Sequence, residues 1–180
     1  MDINSVTVFL VQSGLSFAVL VLLIYWFIAP YLAAQPIRKA MLVLLAPHIC
    51  HHVGLAVLIP GVVGIGFPPD FARIIAIGEP IMLVLAMACM GTLRSGSALT
   101  PLLLWLFTIS GFAYNFIAAW VGISLGSSLV DKLDAHWYVS VFYVPLLFMS
   151  HVLVLINLLK RGHELRELKG QMAVAKARSV

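Results

Sequence analysis

The sequence predicts an all-α integral membrane protein: a single bundle of five transmembrane helices, with the N-terminus outside and the C-terminus in the cytoplasm. Three observations predict it. Of 180 residues, 62% are hydrophobic and only 10% are charged, against about half and about a quarter in a soluble domain. The apolar residues fall into runs of at least the roughly 20 residues that a helix needs to cross a bilayer. Lys and Arg gather at one end of the odd-numbered bundle those runs would form. Mean hydropathy is +1.07, and a small soluble globule, part of which must face water, cannot hide that much apolar surface.

The first run covers about 6–33 and ends near Pro30. The opening "MDINSVTVFL" has no basic leader and no small-residue cleavage site follows, so this run reads as a retained span. The second covers about 39–65 and carries Pro47 and Pro60; the third covers about 71–93 and contains Pro80. The fourth runs over about 99–125 and the fifth over about 136–160, followed by a basic tail, 161–180. The breaks "AAQPIRK", "GFPPD", "RSGS" and "GSSLVDKLD" are short, which makes consecutive helices antiparallel neighbours. No internal repeat or second domain is visible, so 1–180 reads as one transmembrane domain. Pro47, Pro60, Pro80 and Pro145 each remove a backbone hydrogen bond inside a span, giving a kink or a local opening beside a site.

Charge sets the orientation. Arg38 and Lys39, then Arg94, then Lys160, Arg161, Arg166, Lys169, Lys176 and Arg178 fall at one end. Basic residues mark the cytoplasmic side. The tail is positive enough for an anionic lipid surface, though topology-fixing charge explains it as well, and no nucleic-acid partner is indicated. Cys50 and Cys89 lie in apolar runs without a C-x-x-C, so neither a disulfide scaffold nor a zinc ribbon is expected.

Polar residues inside the spans mark the candidate site. Glu79 is the acidic residue within an apolar run, about eight residues or about 12 Å into the third helix. A carboxylate there is costly unless paired, protonated or wet, and such groups usually face a bundle interior. "PHICHH", residues 47–52, places His48, His51 and His52 in the second span. On an α-helix His48 and His52 share one face, with His51 at its edge. His151, on the fifth span, lies at similar depth. Asn115, in the fourth, needs a partner or a ligand, and Tyr114 and Tyr143 would either line a site for a lipophilic ligand or pack as aromatics facing lipid. Glu79, His48 and His151 are thus the candidate catalytic, proton-handling groups. Asn115, Tyr114 and Tyr143 are candidate ligand contacts, and His48, His52 and His151 are candidate metal ligands. The competing explanation is that the histidines only stitch helices together, at about 1 kcal/mol each.

The H-x-x-H-H spacing is similar to one histidine box of the membrane di-iron desaturases and hydroxylases. That family brings two or three boxes, whereas this chain has six histidines in all and no second box around His136, His151 or His163. "TISG", 108–111, only partly resembles the G-x-S-G of rhomboid proteases, with Thr108 at the first Gly position. The translocator-protein family also has five spans, but its Trp/Pro-rich signature is not visible here. No phosphate-binding Gly loop occurs.

Two classes of function follow. One is a multi-pass protein of the cell (inner) membrane that binds or transforms a lipophilic small molecule at a His/Glu site. Haem b, a single metal or no cofactor would each be compatible with it. The other is a non-enzymatic accessory subunit or small transporter, working as a homo-oligomer or within a larger membrane complex.

Overall fold

The computed structural model describes residues 4–177, with side chains through Leu165. The side chains of most of the basic tail therefore lie outside the described residues, as does Asp2. Among the described residues five helices are long and apolar enough to span a membrane: α1 Ser5–Ala34, α2 Ile37–Leu58, α3 Pro69–Ser95, α4 Thr100–Leu125 and α5 His136–Leu165. The expected all-α architecture holds. The helix of α5 continues to Ala177, and a one-turn helix, Ser127–Val130, lies in the α4–α5 connection.

The helices run alternately up and down, as contacts at their ends demonstrate. At the end carrying the N-terminus, the Gly64 N–H donates to the Lys132 carbonyl (2.8 Å), and the Ser5 hydroxyl bonds to Asp131. There too, the Trp137 indole N–H donates to Gln12 (2.7 Å). At the opposite end, Arg38 donates to the Arg94 carbonyl where α3 finishes. Arg161 donates to the carbonyls of Leu32 (3.1 Å) and Gln35 (2.9 Å) where α1 finishes, and its guanidinium also pairs with Glu164 (2.7 Å). The last carbonyls of a helix have no partner of their own, and these arginines supply one. The basic residues that suggest an orientation thus also close helix ends.

Helices α2 to α5 enclose the core. Met41, Leu44, Leu45, Met82, Ala86, Leu104, Phe107 and Val154 meet there. Helix α1 joins the core near its end through Leu32; its first part lies outside, against α5 and the one-turn helix. None of its first 19 residues is buried, and Leu10, Leu15, Val19, Tyr25 and Trp26 point outward. Apolar all round, it has the surface of a helix solvated by lipid tails.

Proline shapes three of the five helices. A π-helical turn, Ile24–Ile28, ends two residues before Pro30, with the Ala29 N–H bonded back to the Ile24 carbonyl. A second, Val139–Tyr143, ends in the same way before Pro145, with the Val144 N–H bonded to the Val139 carbonyl. A proline ring clashes with the carbonyl four residues back, and one widened turn relieves the clash. At Pro47 the helix narrows instead: α2 is α-helical over Ile37–Leu45 and a 3-10 helix over Ala46–Leu58.

A 3-10 run of 13 residues is long, since such runs rarely exceed about four. Side chains from α5 support its start. In a 3-10 ladder the Leu44 carbonyl would take the N–H of residue 47, which proline lacks. The Ser150 hydroxyl donates to that carbonyl (2.6 Å), and the Tyr143 hydroxyl donates to the Pro47 carbonyl (2.6 Å).

The expected second span is too long. Residues 59–65 are apolar but form a loop, because Pro60 and Gly61 occupy the centre of a turn closed by the Val62 N–H on the Ile59 carbonyl (3.1 Å). Gly61 has φ +84°, the left-handed conformation that this position of a type II turn requires. Hydropathy read the run correctly as apolar; the Pro-Gly turn ends the helix at Leu58.

Candidate functional site

The 3-10 pitch decides which histidines face inward. With three residues per turn, side chains three apart eclipse one another, and the buried residues of this segment are His48, His51, Gly54 and Val57. The inward pair is therefore His48 and His51. The expectation that His52 turns inward beside His48 is corrected: His52 is exposed, with its Nδ1 on the Ile49 carbonyl of its own helix (3.2 Å). The α-helical spacing of four that united His48 and His52 does not apply here.

Glu79, on α3, sits opposite Gly54. The carboxylate is only 7% exposed and occupies the space a side chain at position 54 would need. A Cβ there would stand 2.5 Å from the Glu79 Cδ. Both carboxylate oxygens are engaged, Oε2 with His51 Nδ1 at 2.7 Å and Oε1 as acceptor from the Tyr114 hydroxyl at 2.8 Å. Tyr114, from α4, reaches Glu79 over Gly78, where any Cβ would strike its ring.

The network continues through His51. With its Nδ1–H given to Glu79, Nε2 is left as an acceptor. His48 Nδ1 lies 3.1 Å from that Nε2, so His48 donates to it. A line of hydrogen bonds thus joins His48, His51, Glu79 and Tyr114 across α2, α3 and α4.

His151 closes the cluster from α5. Its ring lies against His48 (centroids 4.4 Å apart) and Phe107 (4.5 Å), and it fills the space above Gly111, where a Cβ would overlap the imidazole. His151 is completely buried, yet neither of its ring nitrogens has a hydrogen-bond partner, and neither does His48 Nε2. His48, His51 and His151 each offer a nitrogen, and these three lie within 4.8 Å of one another.

Of the residues expected at the site, the structure gathers Glu79, His48, His151 and Tyr114. Tyr143 stands at the edge, bonded to the Pro47 backbone. Asn115 does not join: its amide donates to the Gly111 carbonyl one turn back in its own helix (2.8 Å). Sequence reasoning placed one member at the edge and missed another. His51 links both halves of the network, and Phe107, not a sequence candidate, contacts both His48 and His151. The spacing His48, His51, Gly54 is the signal that could have revealed the first. A glycine in register with two histidines every third residue leaves room for the carboxylate they meet.

Neither a curated protein nor a solved structure matches the chain. One family model does, and residues 8–159, which it covers, include His48, His51, Glu79, Tyr114 and His151. The chain therefore belongs to the family described as Domain of unknown function (DUF8737).

Proposed function

We propose that this protein is a multi-pass protein of the cell's inner membrane that binds a lipophilic small molecule at the His/Glu/Tyr cluster and acts on it by acid–base chemistry. Glu79, His48 and His151 are the proton-handling groups. The observation that carries this reading is the hydrogen-bonded line from His48 through His51 and Glu79 to Tyr114, sealed among apolar helices. Ionisable groups in such a place are costly and are typically functional. Carboxylate, imidazole and phenol are also the side chains that exchange protons in catalysis. A substrate that dissolves in the bilayer can approach between helices without crossing water.

The test is extraction of the purified protein with organic solvent, followed by mass spectrometry. A lipophilic compound should co-purify with the wild-type chain and fall at least about tenfold in His151→Ala, the loss expected for about 1.4 kcal/mol of binding. An extract identical in the two proteins, both folded, would reject the reading.

The orientation belongs to the same proposal: N-terminus outside, C-terminus in the cytoplasm, supported by Arg38, Lys39, Arg94, Lys160 and Arg161 at one end of the bundle. A phosphatase fused after Val180 should be inactive and a fluorescent protein at the same place bright. The reverse pair of signals would overturn the assignment.

A further inference from the structure

The three inward nitrogens point to a second property of the cluster. We propose that His48, His51 and His151 form a binding site for a single divalent transition-metal ion of the zinc class. The inference rests on reading this cluster as a working site and names the cofactor that site would take; with the ion bound, His48 and His151 are ligands, and the proton-handling role passes to Glu79.

The donor set suits such an ion. Three neutral imidazoles with a fourth position left open are a catalytic zinc arrangement, and imidazole also suits cobalt, nickel, copper and iron. The described nitrogens lie within 4.8 Å of one another. Tetrahedral coordination at about 2.0–2.1 Å sets nitrogens about 3.3 Å apart, so the widest pair closes by on the order of 1.5 Å. His48 Nδ1 and His51 Nε2 already stand 3.1 Å apart; as ligands both present lone pairs, so His48 takes the tautomer with its proton on Nε2 and two metal bonds replace the His48–His51 hydrogen bond.

A carboxylate stands behind one of the donors. A metal-bound histidine usually gives its other N–H to a carboxylate or carbonyl, which fixes the ring and its tautomer. His51 does this: Nδ1 is held by Glu79 at 2.7 Å and Nε2 is turned toward the other two rings. Glu79 is itself held by Tyr114, so the orienting shell is two groups deep.

Both nitrogens of His151 and Nε2 of His48 are buried without partners. Each such atom costs about 1–3 kcal/mol, and in the hydrocarbon region no bulk water compensates. A cation taken up by His151 removes part of that cost. Charge agrees as well: a divalent ion, the Glu79 carboxylate and one exogenous anion in the open position sum to zero, the charge a bilayer interior tolerates best.

The experiment uses the full-length protein, purified in detergent through a tag without histidine, and elemental analysis of the product. The expected result is one zinc-class ion per chain, lost in His151→Ala and retained in His52→Ala, since His52 faces outward. Glu79→Gln should weaken affinity about 10- to 100-fold, the usual effect of losing an outer carboxylate. Should His151→Ala fail to fold, the wild-type chain still decides. Added Co2+ should give the intense visible absorption bands of a tetrahedral ion, and zinc should displace them. Folded wild-type protein that neither carries nor takes up a first-row metal overturns the proposal. Metal absent with a co-purifying lipophilic compound would sink this inference alone. Metal present with no such compound would sink only the small-molecule reading.

Discussion

Glu79→Ala should destabilise the bundle by about 2–6 kcal/mol, the sum for two buried donors left without an acceptor at about 1–3 kcal/mol each. The carboxylate accepts from His51 Nδ1 (2.7 Å) and from the Tyr114 hydroxyl (2.8 Å). Alanine keeps the helix and removes both acceptors. His51 is 1% exposed, so its ring cannot turn to water. Unfolding in detergent, followed by helical circular dichroism, measures the loss. A double-mutant cycle apportions it: Tyr114→Phe should cost less on the Glu79→Ala background than alone, because its acceptor is already gone. Stability within about 0.5 kcal/mol of wild type, the range of an uninvolved surface site, would show that the carboxylate holds nothing together.

Gly111→Ala should also lower stability, although Gly to Ala within a helix ordinarily adds about 0.5–1 kcal/mol. The reason is local. A Cβ at position 111 would overlap the His151 imidazole, and that ring cannot slide, since His48 and Phe107 stand against it. Inserting one carbon into a packed interior costs about 1–3 kcal/mol, enough to reverse the sign. Gly91 is the control, for nothing lies within 4 Å of a Cβ built there, and Gly91→Ala should stabilise. Opposite signs for the two substitutions are the expected outcome. A gain at both positions would mean that His151 is free to move away from α4, and that the cluster is looser than its geometry implies.

Hydropathy and the short breaks made the five spans legible, because the bilayer imposes length and composition on each helix. Pitch was not legible. Nothing in "APHICHHVGLAVL" announces a 3-10 helix, and its cause lies partly elsewhere: Ser150 and Tyr143, about a hundred residues away, bond the backbone beside Pro47. The choice between His51 and His52 followed from that pitch, so the α-helical period selected the wrong partner for His48. Glu79 was legible as an inward group because a carboxylate in an apolar run has few alternatives. Its contact with Tyr114 was not, since pairing α3 with α4 at that level depends on the missing side chain of Gly78. Asn115 was misplaced for the converse reason. A polar side chain in a span can satisfy itself on the preceding turn of its own helix, and sequence does not separate that from a contact across helices.

The pitch of α2 sets, by rotation about the helix axis, which of its histidines faces inward. Each residue of a 3-10 helix turns about 120°, and each residue of an α-helix about 100°. At the observed pitch His51 eclipses His48 and His52 points away. If Ala46–Leu58 relaxed to α pitch, His51 would swing about 60° off the His48 direction and His52 would come within about 40° of it. The segment would shorten from about 26 Å to about 20 Å. Two hydroxyls of α5 hold the observed pitch: Ser150 occupies the Leu44 carbonyl, which an α-helix would return to the His48 N–H, and Tyr143 occupies the Pro47 carbonyl, which it would return to the His51 N–H. The identity of the inward imidazole therefore depends on side chains of α5 as well as on the sequence of α2.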